Sequence, residues 1–282
     1  MTQGNAPRER LRDKLKPGKW GDLRKRFGWG AALLAVGVVL LLSSGLWLRL
    51  GVSAVVGVMM WELARLTGWR HPEFHSPRHP VLIGILSGLV LFTTLILPGD
   101  LPLLLVLVPV LVGLPGTHSH ERPAYVLMTV AILGAGYGLV VMREVMGLAT
   151  VFWVVLTVVQ SDVLGYFVGR KVGGRKFWPS ISPKKTWSGT LAGWIGAWLL
   201  AVGLVICGQA GWPVLLIGPL LALSGQAGDL AESWLKRRVG VKDSSQLIPG
   251  HGGALDRFDA MVGALLLALL LMLLHLLPVI GG

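Results

Sequence analysis

The feature that most limits what this chain can fold into is a succession of apolar runs. Several approach the roughly 20 residues that a helix needs to cross hydrocarbon. A helix satisfies its backbone polar groups within one segment, so in lipid such runs are expected to form spanning helices. We read nine spans, over 29–48, 49–66, 80–97, 101–115, 124–142, 146–169, 188–208, 213–235 and 260–280. The second carries Glu62 and Arg65, and the fourth is short and broken by Pro102, Pro109 and Pro115. Composition agrees: apolar residues make up 53% of the chain and charged residues 14%, whereas a soluble domain carries about 25% charged residues.

The formal charge of +12 is a signal of orientation. With the N-terminus inside, 24 of the 26 Lys and Arg residues fall in cytoplasmic segments, leaving only Arg49 and Arg143 outside. Removing one span would invert every later loop and destroy that asymmetry. The expected fold is therefore an all-α polytopic membrane protein of about nine transmembrane helices, N-terminus cytoplasmic and C-terminus outside. A basic tail (1–28) precedes the N-terminal helices (29–145). A C-terminal region (146–282) then carries cytoplasmic loops at 170–187 and 236–259. With 28 mostly polar residues ahead of it and no small-residue cleavage site after it, the first span is expected to remain as an anchor.

The same distribution argues against a nucleic-acid partner. A groove-binding protein gathers its charge in one stripe, and here it is divided among loops bounded by membrane. The single cysteine, Cys207, forms no internal disulfide. Several of the twelve tryptophans sit near span ends, where interfacial aromatic belts form.

The acids carry the chemistry. None lies between Asp162 and Asp229; then Asp229, Glu232, Asp243, Asp256 and Asp259 fall within 31 residues. Carboxylates inside a membrane are costly and normally face a cavity or a partner. Asp256 and Asp259 share a helix face, as do Asp229, Glu232 and Ser233. Converging carboxylates without thiols suit a hard cation such as Mg²⁺, which keeps coordination positions open for phosphates. Interleaved with them are Lys236, Arg237, Arg238, Lys242, His251 and Arg257. Carboxylates that hold a metal, beside cations that neutralise phosphate oxygens, are the apparatus of phosphoryl transfer.

Two loops frame this constellation. Pro249-Gly250-His251-Gly252-Gly253 is a turn whose glycines let backbone N–H groups approach an anion. Upstream, Ser182-Pro183-Lys184-Lys185-Thr186 offers amines and hydroxyls to a triphosphate, although it is not a Walker P-loop. Gly165 and Gly169 are spaced for close helix packing.

The run Ser233-x-x-Lys236-Arg237-x4-Lys242-Asp243-x5-Pro249-x-His251-Gly252-Gly253-x-x-Asp256-Arg257-x-Asp259 resembles the signature of phosphatidate cytidylyltransferases, or CDP-diglyceride synthases. It matches twelve specified positions over 27 residues. Ser161-Asp162, Tyr166, Gly169 and Ser182-Pro183-x-Lys185-Thr186 are similar to that family's other cytoplasmic segment. The resemblance covers roughly the C-terminal 45% of the chain. Ala254 departs from a larger aliphatic residue, and Ser188 stands where an acid is frequent.

The resemblance implies that CTP and phosphatidate give CDP-diacylglycerol and pyrophosphate with Mg²⁺, at a bacterial inner membrane and on its cytoplasmic face. It implies a metal site among Asp162, Asp229, Asp243, Asp256 and Asp259, holding one or two divalent cations with room for a monovalent one. Asp229, Asp256, Lys242 and His251 are the expected catalytic groups. Ser182, Lys185, Thr186, Ser233, Lys236, Arg237, Gly252, Gly253 and Arg257 are the expected substrate contacts. The partners are CTP, phosphatidate and the lipid bilayer; homodimerisation is compatible with the sequence, which marks no interface. The D-G-x-x-A-R run of the CDP-alcohol phosphotransferases is absent. An enzyme acting on another lipid phosphate, and a transporter using Asp162 and Asp229 as coupling groups, are the remaining alternatives.

Overall fold

The computed structural model describes residues 19–68, 78–99, 101–248, 250 and 252–281. Helix α1 (Lys19–Leu42) leads into α2 (Gly45–Gly68) and α3 (Arg78–Ile96). A broken segment follows, with the short α4 (Leu107–Gly113) between 3-10 turns at Leu101–Val106 and Leu114–Gly116. Then come α5 (Arg122–Val145), α6 (Gly147–Val172), strands β1 (Lys176–Trp178) and β2 (Ser182–Thr186), α7 (Trp187–Ile206), α8 (Val214–Arg238) and α9 (Leu255–Leu273).

Among the described residues, six helical stretches are long and apolar enough to cross a membrane: Gly45–Gly68, Arg78–Ile96, Ser119–Val145, Gly147–Val172, Trp187–Ile206 and Val214–Arg238. Three of the nine expected spans fall short of that standard. The apolar part of α1 is short, and the 101–115 stretch is fragmented where prolines remove helical hydrogen bonds. Helix α9 opens with Asp256, Arg257 and Asp259 in its first turns. The count of nine and the sidedness of the termini thus rest on the charge distribution alone. The loop expected at 170–187 is shorter and more ordered than anticipated, because α6 continues to Val172 and the remainder forms an antiparallel hairpin.

Helix α2 packs on α3 and α5, α6 on α7, and α8 on α7 and α9; α9 also packs along α5 and so joins the two halves. Lipid tails offer no hydrophobic drive for helices to associate, so close packing of small residues supplies the contact. Gly263 of α9 lies against the Ser224 carbonyl of α8, and Ser224 Oγ donates to the Gly263 carbonyl at 2.7 Å. Gly189 of α7 faces Gly165 and Gly169 of α6, which gives that glycine pair its packing role. Tyr125 ties the broken segment down, its hydroxyl donating to the Pro109 carbonyl at 2.8 Å. At the bundle end remote from the acidic loop, Arg49 makes a two-pronged contact with Glu144 at 2.9 and 3.0 Å.

These contacts separate glycines that pack from glycines that do not. A Cβ at position 263 would collide with the α8 backbone, whereas one at 203 would meet nothing within 4 Å. Gly263→Ala is expected to cost about 1–3 kcal/mol through overpacking, read as a lower melting temperature in detergent, while Gly203→Ala leaves it unchanged. Equal melting of the two variants would contradict the packing described.

Candidate functional site

The N-terminal half of the site is a cavity of about 690 Å³ between α6, the hairpin, α7 and α8. It is lined by Asp162 and Tyr166 of α6, Asp229 and Gln226 of α8, Lys176, Lys184, Lys185 and Thr186 of the hairpin, and Arg170. Four cations and two carboxylates therefore face one space. Lys185 Nζ pairs with Asp229 Oδ2 at 2.5 Å, and Ser233 Oγ donates to Asp229 Oδ1 at 3.2 Å. Beneath them Gln226 is nearly buried, accepting from Trp194 Nε1 at 2.9 Å and donating to Ser161 Oγ at 3.3 Å.

The hairpin is held in register by its exit. Thr186 is the N-cap of α7: its Oγ1 accepts from the Gly189 N–H at 3.3 Å, satisfying one of the orphan donors of that helix. Ser188 Oγ donates to the Gly173 carbonyl at 2.5 Å, closing the end of α6 onto the start of α7. Ser188 thus has a structural task where an acid was the usual residue. Ser182 begins β2 and is not among the residues lining this cavity.

The second half is a loop, 239–254, clasped by two carboxylates. Glu62 of α2 is fully buried. Its Oε1 accepts from Ser245 Oγ at 2.6 Å and Ala254 N at 3.0 Å, and its Oε2 from Leu255 N at 2.6 Å, with Ser244 Oγ at 3.2 Å. A carboxylate at the first amide groups of a helix meets both free donors and the positive end of the helix dipole. Asp256 Oδ2 accepts from the N–H groups of Ser244 and Gly253 at 2.9 and 2.8 Å and lies 2.9 Å from Ser244 Oγ. Asp256 Oδ1 takes Lys236 Nζ at 2.6 Å, and Lys236 pairs in turn with buried Glu232. Asp256 precedes the apolar part of α9. Burial works to raise its carboxyl, but Lys236 and the two N–H groups outweigh it and hold it below the usual carboxylate value. Gly253 admits this arrangement, since any side chain there would strike Ser244 and Glu62; Gly252 adopts φ +83° beside Asp256.

The sequence-derived residues are therefore divided. Asp162, Asp229, Lys185 and Thr186 share one cavity, with Ser233 bonded to Asp229. Asp259 lies close enough to Asp229 and Asp162 for mutual repulsion. Lys242 and Asp243 line a different cavity, of about 680 Å³, with Trp61 and Arg65 of α2. Lys236, Gly252, Gly253 and Asp256 organise the loop. Arg237 is exposed and donates to the Val241 carbonyl at 3.2 Å, and Arg257 is exposed at the start of α9. His251 lies outside the described residues. Glu62, Arg170 and Lys176 are residues that the sequence reading did not place in the site; for Glu62 the available signal was an isolated acid within an apolar span.

By donor type, Asp162, Asp229 and Asp259 fit a hard cation. Among the described residues, no three ligand-type side chains close into a preformed metal cage. A bound Mg²⁺ would complete its shell with water and substrate oxygens, as that ion prefers.

A model of the cytidylyltransferase family matches residues 24–275. A phosphatidate cytidylyltransferase of Brucella abortus is 45% identical over 123 residues, which is 43% of this chain and 46% of the relative. The enzyme of that name from Staphylococcus saprophyticus is 39% identical over 147 residues, 51% of this chain and 56% of the relative. That from Bacillus subtilis is 44% identical over 119 residues, 41% and 44% of the two chains. The chain thus spans about half the length of the curated relatives it matches.

Glu62→Ala would strand the N–H groups of Ala254 and Leu255 in a buried setting, at about 1–3 kcal/mol for each unsatisfied donor. The expected result is a lower melting temperature, with faster amide exchange at 243–255 than in the rest of the bundle. Glu62→Gln, which keeps one carbonyl acceptor, is expected to fall between. Wild-type exchange rates in Glu62→Ala would sink the clasp.

Proposed function

The chain belongs to the cytidylyltransferase family, and on that premise we propose that it is a phosphatidate cytidylyltransferase, joining CTP to phosphatidate. The observation that carries the reading is the cavity where Asp162 and Asp229 face Arg170, Lys176, Lys184 and Lys185. A triphosphate carries several negative charges, and four Lys and Arg groups at one opening are suited to receive it.

A phosphate oxygen of phosphatidate attacks the α-phosphorus of CTP. One P–O bond forms, the bond to the oxygen bridging toward the β-phosphate breaks, and pyrophosphate leaves with that electron pair. The attacking phosphate is already anionic, so no strong general base is required. The chemical difficulty is bringing two polyanions together. Lys185, positioned by Asp229, and Lys184 neutralise phosphate oxygens, while Arg170 and Lys176 guide the nucleotide into the cavity. Mg²⁺, when bound, supplies further charge neutralisation, and Asp162, Asp229 and Asp259 are the side chains that would hold it. Lys236 and Asp256, engaged with each other, act by fixing the loop that carries Lys242 and His251. His251 is assigned to the departing pyrophosphate. We place the enzyme in a bacterial inner membrane with nine spans, N-terminus inside, and the site on the cytoplasmic face. There soluble CTP and a membrane lipid both reach it, with no part for nucleic acid.

Purified protein given CTP, phosphatidate and Mg²⁺ is expected to release pyrophosphate and CDP-diacylglycerol, to stop with a chelator and to resume on adding Mg²⁺. Asp229→Asn and Lys185→Ala are each expected to lower turnover by about 100-fold or more, the scale seen when a charge-stabilising group is removed. A folded wild type that turns over no CTP would overturn the reading.

A further inference from the structure

One buried amide at the floor of the cavity of Asp162 and Asp229 joins three helices. Gln226 of α8 is buried, and its carboxamide oxygen accepts from Trp194 Nε1 of α7 at 2.9 Å. Its nitrogen donates to Ser161 Oγ of α6 at 3.3 Å and to the Thr190 carbonyl of α7 at 3.4 Å. An indole N–H can only donate and a carbonyl can only accept, so the amide has one orientation, with both hydrogens engaged. Helix α7 comes close enough because it carries glycine at 193, where a Cβ would strike both Ser161 Oγ and Gln226 Nε2.

Each of these helices carries, or leads from, a group of the cavity. Ser161 is followed by Asp162, and Thr190 lies one turn past Thr186, where the hairpin that bears Lys185 enters α7. Gln226 stands three residues before Asp229, so the two share a helix face. A helix turns by about 100° per residue, so a slip of one residue between α6 and α8 would carry Asp162 or Asp229 away from the cavity. Lipid tails supply no hydrophobic drive against such sliding, which leaves close packing and interhelical hydrogen bonds to fix register. Gly165 and Gly189 lock α6 to α7 one turn nearer the hairpin, and Gln226 adds α8 to that pair.

We propose that Gln226 is a positioning residue, whose three-helix junction sets the separation of Asp162 and Asp229. The assignment rests on the cytidylyltransferase reading, in which those carboxylates hold Mg²⁺, and it adds the side chain that orients them from behind. Gln226 reaches the cavity floor, but Ser161 and Thr190 engage its amide hydrogens, so it acts through the helices and not on substrate. Arg170, Lys176 and Lys184 stand outside the junction and keep their hold on CTP when it is broken.

The test uses the full chain in detergent and two readouts. Mn²⁺ binding, followed by loss of the free-ion electron paramagnetic resonance signal, requires no turnover; steady-state kinetics with CTP and phosphatidate separates kcat from KM. Gln226→Met keeps the side-chain volume and removes the hydrogen bonds. It is expected to weaken Mn²⁺ binding and to lower kcat, each by about 10- to 100-fold, the scale for losing a group that supports a metal ligand. KM for CTP is expected to stay within about threefold, since an interaction that orients the reacting groups shows in kcat. Ser161→Ala, which trims one oxygen, is expected to act in the same direction and carries the test if Gln226→Met does not fold. Because both changes break one junction, the double variant is expected to be no worse than the worse single. Tyr125→Phe, which breaks a buried bond to Pro109 in the N-terminal half, is expected to lower the melting temperature and leave both readouts unchanged. Wild-type kcat and Mn²⁺ affinity in Gln226→Met, a KM for CTP that rises in step with the fall in kcat, additive effects in the double variant, or an equal loss in Tyr125→Phe would overturn the positioning role. If Gln226→Met weakens Mn²⁺ binding but the wild type forms no CDP-lipid, the enzyme reading fails and the junction stands. If the wild type is active and Gln226→Met matches it in both readouts, the junction alone fails.

Discussion

A buried carboxylate on α2 holds this protein's two halves in register. Glu62 reaches across nearly two hundred residues of sequence to accept the first amide groups of α9 and a hydroxyl of the preceding loop. A charge buried among helices is tolerable only if its lone pairs are filled, so the loop must adopt the one course that fills them. Gly253 follows from the same demand, since no side chain fits between Glu62 and Ser244. The N-terminal helices therefore do more than anchor the chain. They set the position of the loop on which the C-terminal chemistry depends.

The five C-terminal acids divide by what surrounds them. Asp256 and Glu232 both meet Lys236, Asp256 accepting backbone N–H groups as well and Glu232 being fully buried. Asp229 meets Lys185 at the edge of a water-accessible cavity and keeps its chemical role open. Asp243 faces a different space altogether, next to Trp61 and Arg65. Identical side chains acquire different work because a cavity wall, a helix N-terminus and a buried lysine each impose a different electrostatic partner.

Much of the architecture was legible beforehand. Apolar run length marked the helices, and a missing side chain marked the α6–α7 contact at Gly165 and Gly169. The hairpin at 176–186 was not legible, because its two short strands read Lys-Phe-Trp and Ser-Pro-Lys-Lys-Thr without clear alternation. Nor was the helical extension that carries α6 on to Val172, past the end of its apolar run. The 101–115 stretch passed as a span on hydropathy, while its prolines broke the backbone hydrogen bonds that a continuous helix requires.

By itself the sequence showed a helical chain with runs long and apolar enough to cross a membrane, an uneven division of charge among its loops, and carboxylates and cations gathered in its C-terminal part. These are properties of composition, run length and local spacing, which need no knowledge of what meets what. Only the tertiary structure decided that Lys242 and Asp243 stand apart from Asp162 and Asp229, and that Lys236 and Asp256 hold a loop. It alone recruited Glu62, Trp61 and Arg65 from the second helix. The last of these depends on contacts between residues more than 150 positions apart, the others on which helices and loops meet, and no local pattern encodes them.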